Sequence, residues 1–136
     1  MSAPYFPVID LPRRGDERGA LVVAEAMADC PFEIRRVYWV FGTAEGVSRG
    51  FHAHHRTRQL AVCVSGSCDL RMNDGRETAT IRLDSPDRAL PIEPMVWHEM
   101  HNFSPDCVLL VMADAEYDEA DYIRDFEAFT RYLTTV

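Results

Sequence analysis

The residues best suited to chemistry are two histidines separated by one alanine, His52 and His54. Side chains alternate along a β-strand, so residues two apart share a face, and both imidazoles would project into one space. Imidazole titrates near neutral pH and can both accept and donate a proton, so such a pair suits proton transfer. The His-x-His pattern alone also fits hydrogen-bonded structural histidines. The residues near the pair in the sequence therefore help to distinguish a structural role from a chemical one.

Polar residues nearby favour the proton-transfer interpretation. Arg49 precedes the pair, and Arg36 and Tyr38 share one face of a strand predicted over 33–41. We expect that strand to line the same barrel mouth. Polar side chains inside a small barrel need partners or a ligand, because burying one unpaired costs about 1–3 kcal/mol. A guanidinium and a phenol can donate hydrogen bonds to an oxygen that gains negative charge. The pattern therefore predicts a polar ligand cavity.

The elements that must position these residues are short strands. Ser65-Gly66 is a tight turn, and Asn73-Asp74-Gly75 is a strong hairpin signal because its residues tolerate positive φ. Many short strands at this spacing are typical of an antiparallel barrel or two-sheet jelly roll. The all-β prediction places strands at 6–11, 20–25, 33–41, 51–54, 59–64, 67–72, 78–83, 89–93, 96–101 and 107–113.

The two ends of the chain differ from this pattern. Residues 1–18, with three prolines, predict an extended arm. Near the other end, Asp118 can cap a helix predicted over 119–133. Its apolar stripe, formed at helical spacing by Tyr122, Phe126, Phe129 and Leu133, is expected to pack on the outside of the barrel. We predict one domain over 1–136.

Composition excludes several classes of protein. The net charge of −8 disfavours a nucleic-acid or anionic-membrane surface. All 14 basic residues are arginine, and without lysine a Schiff base or a lysine-bound pyridoxal cofactor is excluded. The four cysteines lack Cys-x-x-Cys spacing and predict free thiols. The longest apolar run, 108–113, is too short to cross a bilayer, and no signal segment is visible. We expect a cytoplasmic protein.

A metal site is a second interpretation of the histidines. The spacing of Gly46, His52, His54, Gln59 and Gly66 resembles the first motif of the cupin barrels, in which Glu usually stands where Gln59 is. The segment 94–102 loosely resembles the second motif, which would add the histidine at 98 as a ligand. Because glutamine is a weaker ligand than glutamate, we expect no functional metal. The alternative for the histidines at 98 and 101 is a position on the rim or surface.

Five stretches together resemble the sugar-nucleotide 3,4-ketoisomerases, the WxcM-like cupins. They cover nearly the whole chain in order, at 31–38, 49–54, 64–67, 102–110 and 117–124, and the His-Ala-His and Tyr-Asp-Glu-x-Asp-Tyr-Ile-Arg stretches are specific. The resemblance implies a cupin-type antiparallel barrel. It implies conversion of dTDP-4-keto-6-deoxyglucose into its 3-keto isomer without metal or other cofactor. It also implies a homodimer that can exchange N-terminal strands.

The resemblance further implies roles for particular residues. His52, His54, Tyr38 and Arg49 match the catalytic positions. The candidates for contacts with the diphosphate are Arg18, Arg36 and Arg49. Gln59 is a candidate for a sugar hydroxyl or a histidine, and Trp97 for stacking on the base or packing in the barrel. The family usually has lysine where this chain has His55, which leaves the preference for the nucleotide base open. The alternatives are a metal-dependent cupin enzyme, either a dioxygenase or a sugar isomerase, and a non-catalytic sugar-nucleotide-binding cupin.

Overall fold

A computed structural model describes residues 6–134. Within that range the strands are β1 (Ile9–Asp10), β2 (Arg13–Asp16), β3 (Gly19–Val22), β4 (Arg36–Phe41), β5 (Arg49–His54), β6 (Gln59–Ser65), β7 (Cys68–Asn73), β8 (Thr78–Leu83), β9 (Arg88–Ile92), β10 (Trp97–His101), β11 (Val108–Ala113) and β12 (Tyr122–Ile123). A single 3₁₀ turn, Glu119–Asp121, precedes β12, and the helix α1 spans Phe126–Thr134.

Two five-stranded antiparallel sheets form the body of the fold. Their strand orders are β1-β9-β6-β11-β4 and β12-β5-β10-β7-β8, and β2 pairs with β3 in a separate hairpin. Apolar residues from both sheets, such as Leu70, Leu90 and Val111, pack into one buried cluster between them. The prediction of an antiparallel jelly roll with a C-terminal helix is confirmed.

Alternation along the strands decides which side chains reach the interior. In β4, Arg36, Tyr38 and Val40 are half-buried, whereas Val37 and Trp39 are exposed, as predicted. Strand β6 is buried on both sides for most of its length. Its outer face is covered by residues of the N-terminal part of the chain, which pack with Leu60 and Val62 and include Leu11, Cys30 and Phe32.

The predicted helix over 119–133 is wrong at its beginning. Asp118 caps the 3₁₀ turn, in which its side chain accepts a hydrogen bond from the Ala120 amide at 3.1 Å. Tyr122 and Ile123 then pair with β5 as β12, and the helix starts only at Phe126. These two residues form a strand and not a helical turn because their backbone pairs with the edge of β5 that would otherwise be free. The helix itself packs Phe129 against the outer face of that sheet, as expected.

Within the described range, residues 6–18 of the predicted arm contain two short strands, β1 and β2. Residues 1–5 of the predicted arm lie outside the described range, and the predicted strand over 6–11 is reduced to β1, which pairs with β9. The hairpin β2–β3 is exposed along almost its whole length. No helix within 6–134 is both long enough and apolar enough to span a bilayer.

We predict that Gly66→Ala destabilises the fold more than Gly42→Ala. Both glycines have left-handed φ angles, +65° and +68°, so alanine costs about 1 kcal/mol at either position. A Cβ at Gly42 meets no atom within 4 Å, whereas at Gly66 it would lie 2.8 Å from the Cys107 Cα. This overlap adds about 1–3 kcal/mol. Urea unfolding of both variants measures the difference, and equal losses would contradict the predicted clash.

Candidate active site

A cavity of about 420 Å³ opens between the two sheets at one end. Its walls come from β4, β5 and β10 and from the segment around β12, and its polar residues include Tyr38, Arg49 and His52. The volume lies in the range of small-molecule sites, about 300–1,000 Å³.

Strand pairing brings a cluster of rings to the inner face of β5. His52 lies opposite His98 of β10, and His54 lies opposite Tyr122 of β12. The ring centroids of His52 and His54 are 5.1 Å apart, and those of His52 and His98 are 4.5 Å apart. The predicted common face of the two motif histidines is therefore present, and a third imidazole joins them.

The three histidines differ in how far they lie from the cavity and in how much of each is exposed. His52 lines the cavity, whereas His54 and His98 are only 2% and 0% exposed and lie behind it. The interpretation of His98 as a rim or surface residue is wrong, because its strand directs it inward beside His52. His101 is half-buried and hydrogen-bonds Ser48 and Glu99, away from the cavity wall.

A β-bulge brings Arg49 to the same side as His52. His98 pairs with His52, but the next residue, Glu99, pairs with Gly50, so Phe51 is the extra residue. Phe51 has a left-handed φ of 60°, a strained conformation for a bulky side chain. Regular alternation would place Arg49 and His52 on opposite faces. The bulge cancels one step of that alternation, and both line the cavity.

Tyr38 is held by a glutamine that does not reach the cavity itself. The Gln59 side-chain amide donates a hydrogen bond to the Tyr38 oxygen at 2.8 Å, and Gln59 is fully buried. Burial raises the pKa of Tyr38, so the phenol keeps its proton at neutral pH. Gln59, expected to bind a sugar hydroxyl or a histidine, instead orients the tyrosine. Because the tyrosine oxygen accepts from Gln59, its own O–H is free to donate.

Two of the three predicted anion-binding arginines lie at the cavity. Arg36 and Arg49 both line it, and within 6–134 neither forms an ion pair. The Arg36 guanidinium lies 5.4 Å from the Tyr38 ring centre and 5.7 Å from that of Tyr117. Its buried Nε has no hydrogen-bond partner in the part of the chain that the structure describes. Arg18 lies elsewhere, at the turn of the β2–β3 hairpin, where it pairs with Asp16 at 2.6 Å.

Trp97 also lies outside the cavity, so the expected stacking of this indole on a base is wrong for this site. Its neighbour His98 points inward, so Trp97 points outward by strand alternation. It packs against Phe126 and Phe129 of α1, and its Nε1 donates to Glu99 at 2.9 Å. The observed position of Trp97 agrees with the other expectation from the sequence, that it packs in the barrel structure.

Three further polar residues line the cavity although the sequence did not predict them as site residues, namely Tyr117, Tyr122 and Arg124. Arg124 binds Glu119 through two contacts of 2.8 Å and lies 4.2 Å from the Tyr122 ring centre. The sequence does contain a signal for these site residues, since all of them lie in the specific stretch 117–124. The expectation that Tyr122 belongs to the apolar stripe of a helix pointed away from a place in the cavity.

Asp121 is the buried partner of His54. The Asp121 carboxylate accepts hydrogen bonds from the Arg56 amide at 2.8 Å, from the Thr57 amide at 3.2 Å and from the Thr57 hydroxyl. It also lies 3.2 Å from His54 Nδ1. Although burial alone would raise it, the pKa of Asp121 is lowered by the hydrogen bonds from Thr57 and the Arg56 amide.

The three imidazoles are held neutral. Burial lowers the pKa of His52 below its ordinary value of 6.5. Burial, reinforced by His52, lowers the pKa of His54 to about 4 despite the opposing effect of Asp121. Burial likewise lowers the pKa of His98 to about 3. At neutral pH the cluster therefore offers bare nitrogen lone pairs, which can accept a proton or bind a metal ion.

Within residues 6–134, two groups of residues have the composition of a metal site. One nitrogen from each of His52, His54 and His98 lies within 4.8 Å of the others. In the second group the Cys63 sulfur lies 3.5 Å from that of Cys68 and 3.7 Å from that of Cys107. These thiols are buried among apolar side chains, where free cysteine packs as a small hydrophobe. Of the two groups, only the histidines adjoin the cavity.

The jelly roll, with its polar cavity at one end and histidines on an inner strand, defines a small-molecule-binding protein of the cupin type. Residues 5–134 match the FdtA family, described as WxcM-like, C-terminal. The chain is 46% identical over 129 residues to the TDP-4-oxo-6-deoxy-alpha-D-glucose-3,4-oxoisomerase of Aneurinibacillus thermoaerophilus, covering 95% of this chain and 93% of that protein.

Solved structures agree with this match. A 3,4-ketoisomerase from Helicobacter canadensis is 37% identical with a TM-score of 0.92, covering 95% of this chain and 97% of the other. A His→Asn variant of the Thermoanaerobacterium thermosaccharolyticum 3,4-ketoisomerase, in complex with TDP-4-keto-6-deoxyglucose, is 34% identical with a TM-score of 0.93, covering 98% and 97%. The chain belongs to the FdtA, or WxcM-like, family of sugar 3,4-ketoisomerases.

We predict that acidification destabilises the protein through the buried histidines. Because the pKa of His98 is about 3 in the folded state and about 6.5 when unfolded, the unfolded chain binds more protons between these values. Each such histidine lowers the free energy of unfolding by up to about 1.4 kcal/mol per pH unit as the pH falls below 6.5. Urea unfolding of wild type and His98→Gln from pH 7 to 5 should give the shallower dependence for the variant. Parallel dependences would contradict the prediction.

Proposed function

We propose that this chain moves the keto group of TDP-4-keto-6-deoxyglucose from C4 to C3. The observation that carries the proposal is the cavity itself, where His52 and Tyr38 share one space with the unpaired guanidinium groups of Arg36 and Arg49. The named substrates of the relatives supply the sugar and nucleotide class. The reaction needs a base, a proton donor and stabilisation of an enediolate, and no change in net oxidation state.

His52 is the group we assign to proton transfer. A ketone at C4 makes the C3 proton acidic, so a base removes that proton and a proton is then added to C4. Of the two motif histidines, His52 lines the cavity, and its lowered pKa keeps it neutral and able to accept at pH 7. His54 lies behind it and acts on His52 rather than on the sugar.

Tyr38 and Arg49 are suited to stabilising the enediolate oxygen. Tyr38 has a free O–H because its oxygen accepts from Gln59. Donors held in place before the reaction stabilise developing charge without reorganising, and loss of one costs on the order of 3 kcal/mol. Arg36, held between two phenol rings, carries a fixed positive charge suited to the diphosphate.

We predict that His52→Asn lowers kcat by about 10²–10⁴, since asparagine cannot accept the proton. His54→Asn should lower it by a smaller factor. His101→Asn is the matched control, because His101 lies outside the cavity lining. Product formation is followed by NMR with TDP-4-keto-6-deoxyglucose in D2O, where wild type should introduce deuterium at the reacting carbons. Full isomerisation by both His52→Asn and His54→Asn would refute the assignment of the histidines.

The same D2O experiment separates catalysis from simple binding. A non-catalytic sugar-nucleotide-binding cupin would bind the TDP-sugar and leave the C3 hydrogen unexchanged. The configuration of the product at C4 follows from the same spectrum. Its outcome depends on which face of the enediolate receives the proton, a matter of about an ångström of placement.

The histidine cluster supports a metal-dependent cupin enzyme as the second candidate. Nδ1 of His54 lies against Asp121 and Nδ1 of His98 against the Val96 carbonyl, while Nε2 of both rings has no hydrogen-bond partner among the described residues. Metal-binding histidines show this arrangement of one held and one bare nitrogen. The residues thus fit an ion such as Zn²⁺ or Fe²⁺, which would polarise the carbonyl. Elemental analysis of purified protein, followed by activity assays after chelation, separates the two candidates.

We also propose that the protein is a cytoplasmic homodimer. Support comes from the outer face of edge strand β4, where Val37, Trp39 and Phe41 are 45–69% exposed, and from the hairpin β2–β3, which is exposed on both sides. An isolated hairpin is barely stable in water. The hairpin of one copy beside β4 of the other would cover both surfaces. The four buried free thiols suit a reducing compartment.

The dimer gives a direct prediction. Trp39→Glu should raise the dimer dissociation constant more than tenfold, because a buried tryptophan is a typical interface hot spot and a buried unpaired carboxylate is costly. Tyr132→Glu is the matched control, an exposed aromatic on α1 at the outside of the other sheet. Analytical ultracentrifugation measures both, and a monomeric wild-type chain would refute the proposal.

A further inference from the structure

Asp121 is a buried carboxylate that lies outside the walls of the catalytic cavity. It is 3% exposed, and its oxygens are surrounded by donors from one short segment. Oδ1 accepts from the Arg56 amide, and Oδ2 accepts from the amide and the hydroxyl of Thr57. An ionised carboxylate only accepts hydrogen bonds. With three donors already directed at it, Asp121 accepts at its fourth contact as well, the 3.2 Å contact with His54.

This contact determines which nitrogen of His54 carries the proton. Neutral imidazole has one N–H and one bare nitrogen. Because Asp121 Oδ2 accepts, His54 Nδ1 is the N–H, and Nε2 is left bare. That Nε2 is buried and has no hydrogen-bond partner in the described chain. One ring nitrogen of His54 lies within 4.8 Å of one ring nitrogen of His52 and one of His98.

His98 is held in the same tautomer by a different acceptor. Its Nδ1 lies 3.2 Å from the Val96 carbonyl oxygen, which can only accept, so its Nε2 is also bare. Among the imidazoles of the described chain, His52 Nδ1 is the third buried nitrogen without a hydrogen-bond partner. Two bare acceptors therefore lie in the same cluster as the histidine that lines the cavity, with one nitrogen of each ring within 4.8 Å of the others. When His52 takes a proton from the substrate, it becomes a donor at both nitrogens, and a bare nitrogen of the cluster can accept one of these N–H groups.

We propose that Asp121 is a positioning residue, which acts through the tautomer of His54 to present a bare nitrogen to His52 during proton transfer. The inference rests on the proposed ketoisomerase function for its kinetic consequence. The tautomer itself can be measured without substrate, so failure of this inference and failure of the proposed function are distinguishable. In Ser-His-Asp triads the equivalent Asp→Asn change reverses the histidine tautomer and costs kcat about 10⁴-fold.

The first experiment is carried out on the full wild-type chain. Long-range ¹⁵N–¹H NMR of the imidazoles, with His54→Asn used to assign the His54 signals, should show His54 protonated at Nδ1. An Nε2–H tautomer in the wild type would overturn the proposal, whatever the variants do. In Asp121→Asn the side-chain amide can donate to Nδ1, so the spectrum should switch to Nε2–H.

Kinetics then separate positioning from a structural role. Asp121→Asn should lower kcat by about tenfold or more, to about the level of His54→Asn, and change KM by less than about threefold, because Asp121 acts through His54 and does not line the cavity. Thr57→Val is the matched control, since it removes a donor to the same carboxylate but leaves the His54 contact, and should lower kcat less than tenfold. In a His54→Asn background the Asp121→Asn change should have no further effect. Equal losses in Thr57→Val and Asp121→Asn, or additive losses in the double variant, would overturn the proposal.

Discussion

The site depends on the pairing of β5 between β10 and β12. Because strand side chains alternate, His52 and His54 face the interior while Ala53 faces the helix on the outside. Each neighbouring strand then adds one ring in register, His98 from β10 and Tyr122 from β12. Three short strands thereby assemble a ring cluster that no single segment contains. The same pairing directs Trp97 and Ile123 to the opposite face, where they support α1.

Desolvation gives this cluster its chemical character. Three neighbouring imidazoles could hold several positive charges, but burial lowers the pKa of each and keeps them neutral. Positive charge is supplied instead by Arg36 and Arg49 at the cavity wall. The neutral base His52 therefore lines the same cavity as two cations, which suits a reaction in which a neutral base takes a proton close to an anionic ligand.

The buried polar groups of the site are mostly held by a second layer of residues. Gln59 holds Tyr38, Asp121 holds His54, and the Val96 carbonyl holds His98. The strained backbone at Phe51 belongs to the same arrangement, since the bulge there turns Arg49 toward His52. Such strain persists only where surrounding contacts hold it, and here β10 does so by pairing with Gly50 and His52 before and after Phe51.

The sequence pattern correctly predicted those features that depend only on residues close together along the chain. The alternation of β4, the inward pair His52 and His54, and the hairpin at Asn73–Gly75 follow from period-two geometry and turn chemistry, which a single strand carries by itself. The prediction of a helix over 119–123 is wrong, because Tyr122 fits the apolar stripe of a helix and a strand equally well. The choice between them was made by the free edge of β5, which no local pattern shows.

What the sequence by itself determined is the identity and the parity of the reactive residues: an all-β chain with two imidazoles on one strand face, an arginine before them, and a tyrosine and an arginine on another. Only the tertiary structure decided how deeply these residues are buried and which side chains they contact. It placed His98 in the cluster, Gln59 behind Tyr38, Asp121 behind His54, and Trp97 outside. The physical reason is that burial, the β-bulge and cross-strand partners arise when distant strands pair, so they are properties of the register between strands and not of any one of them.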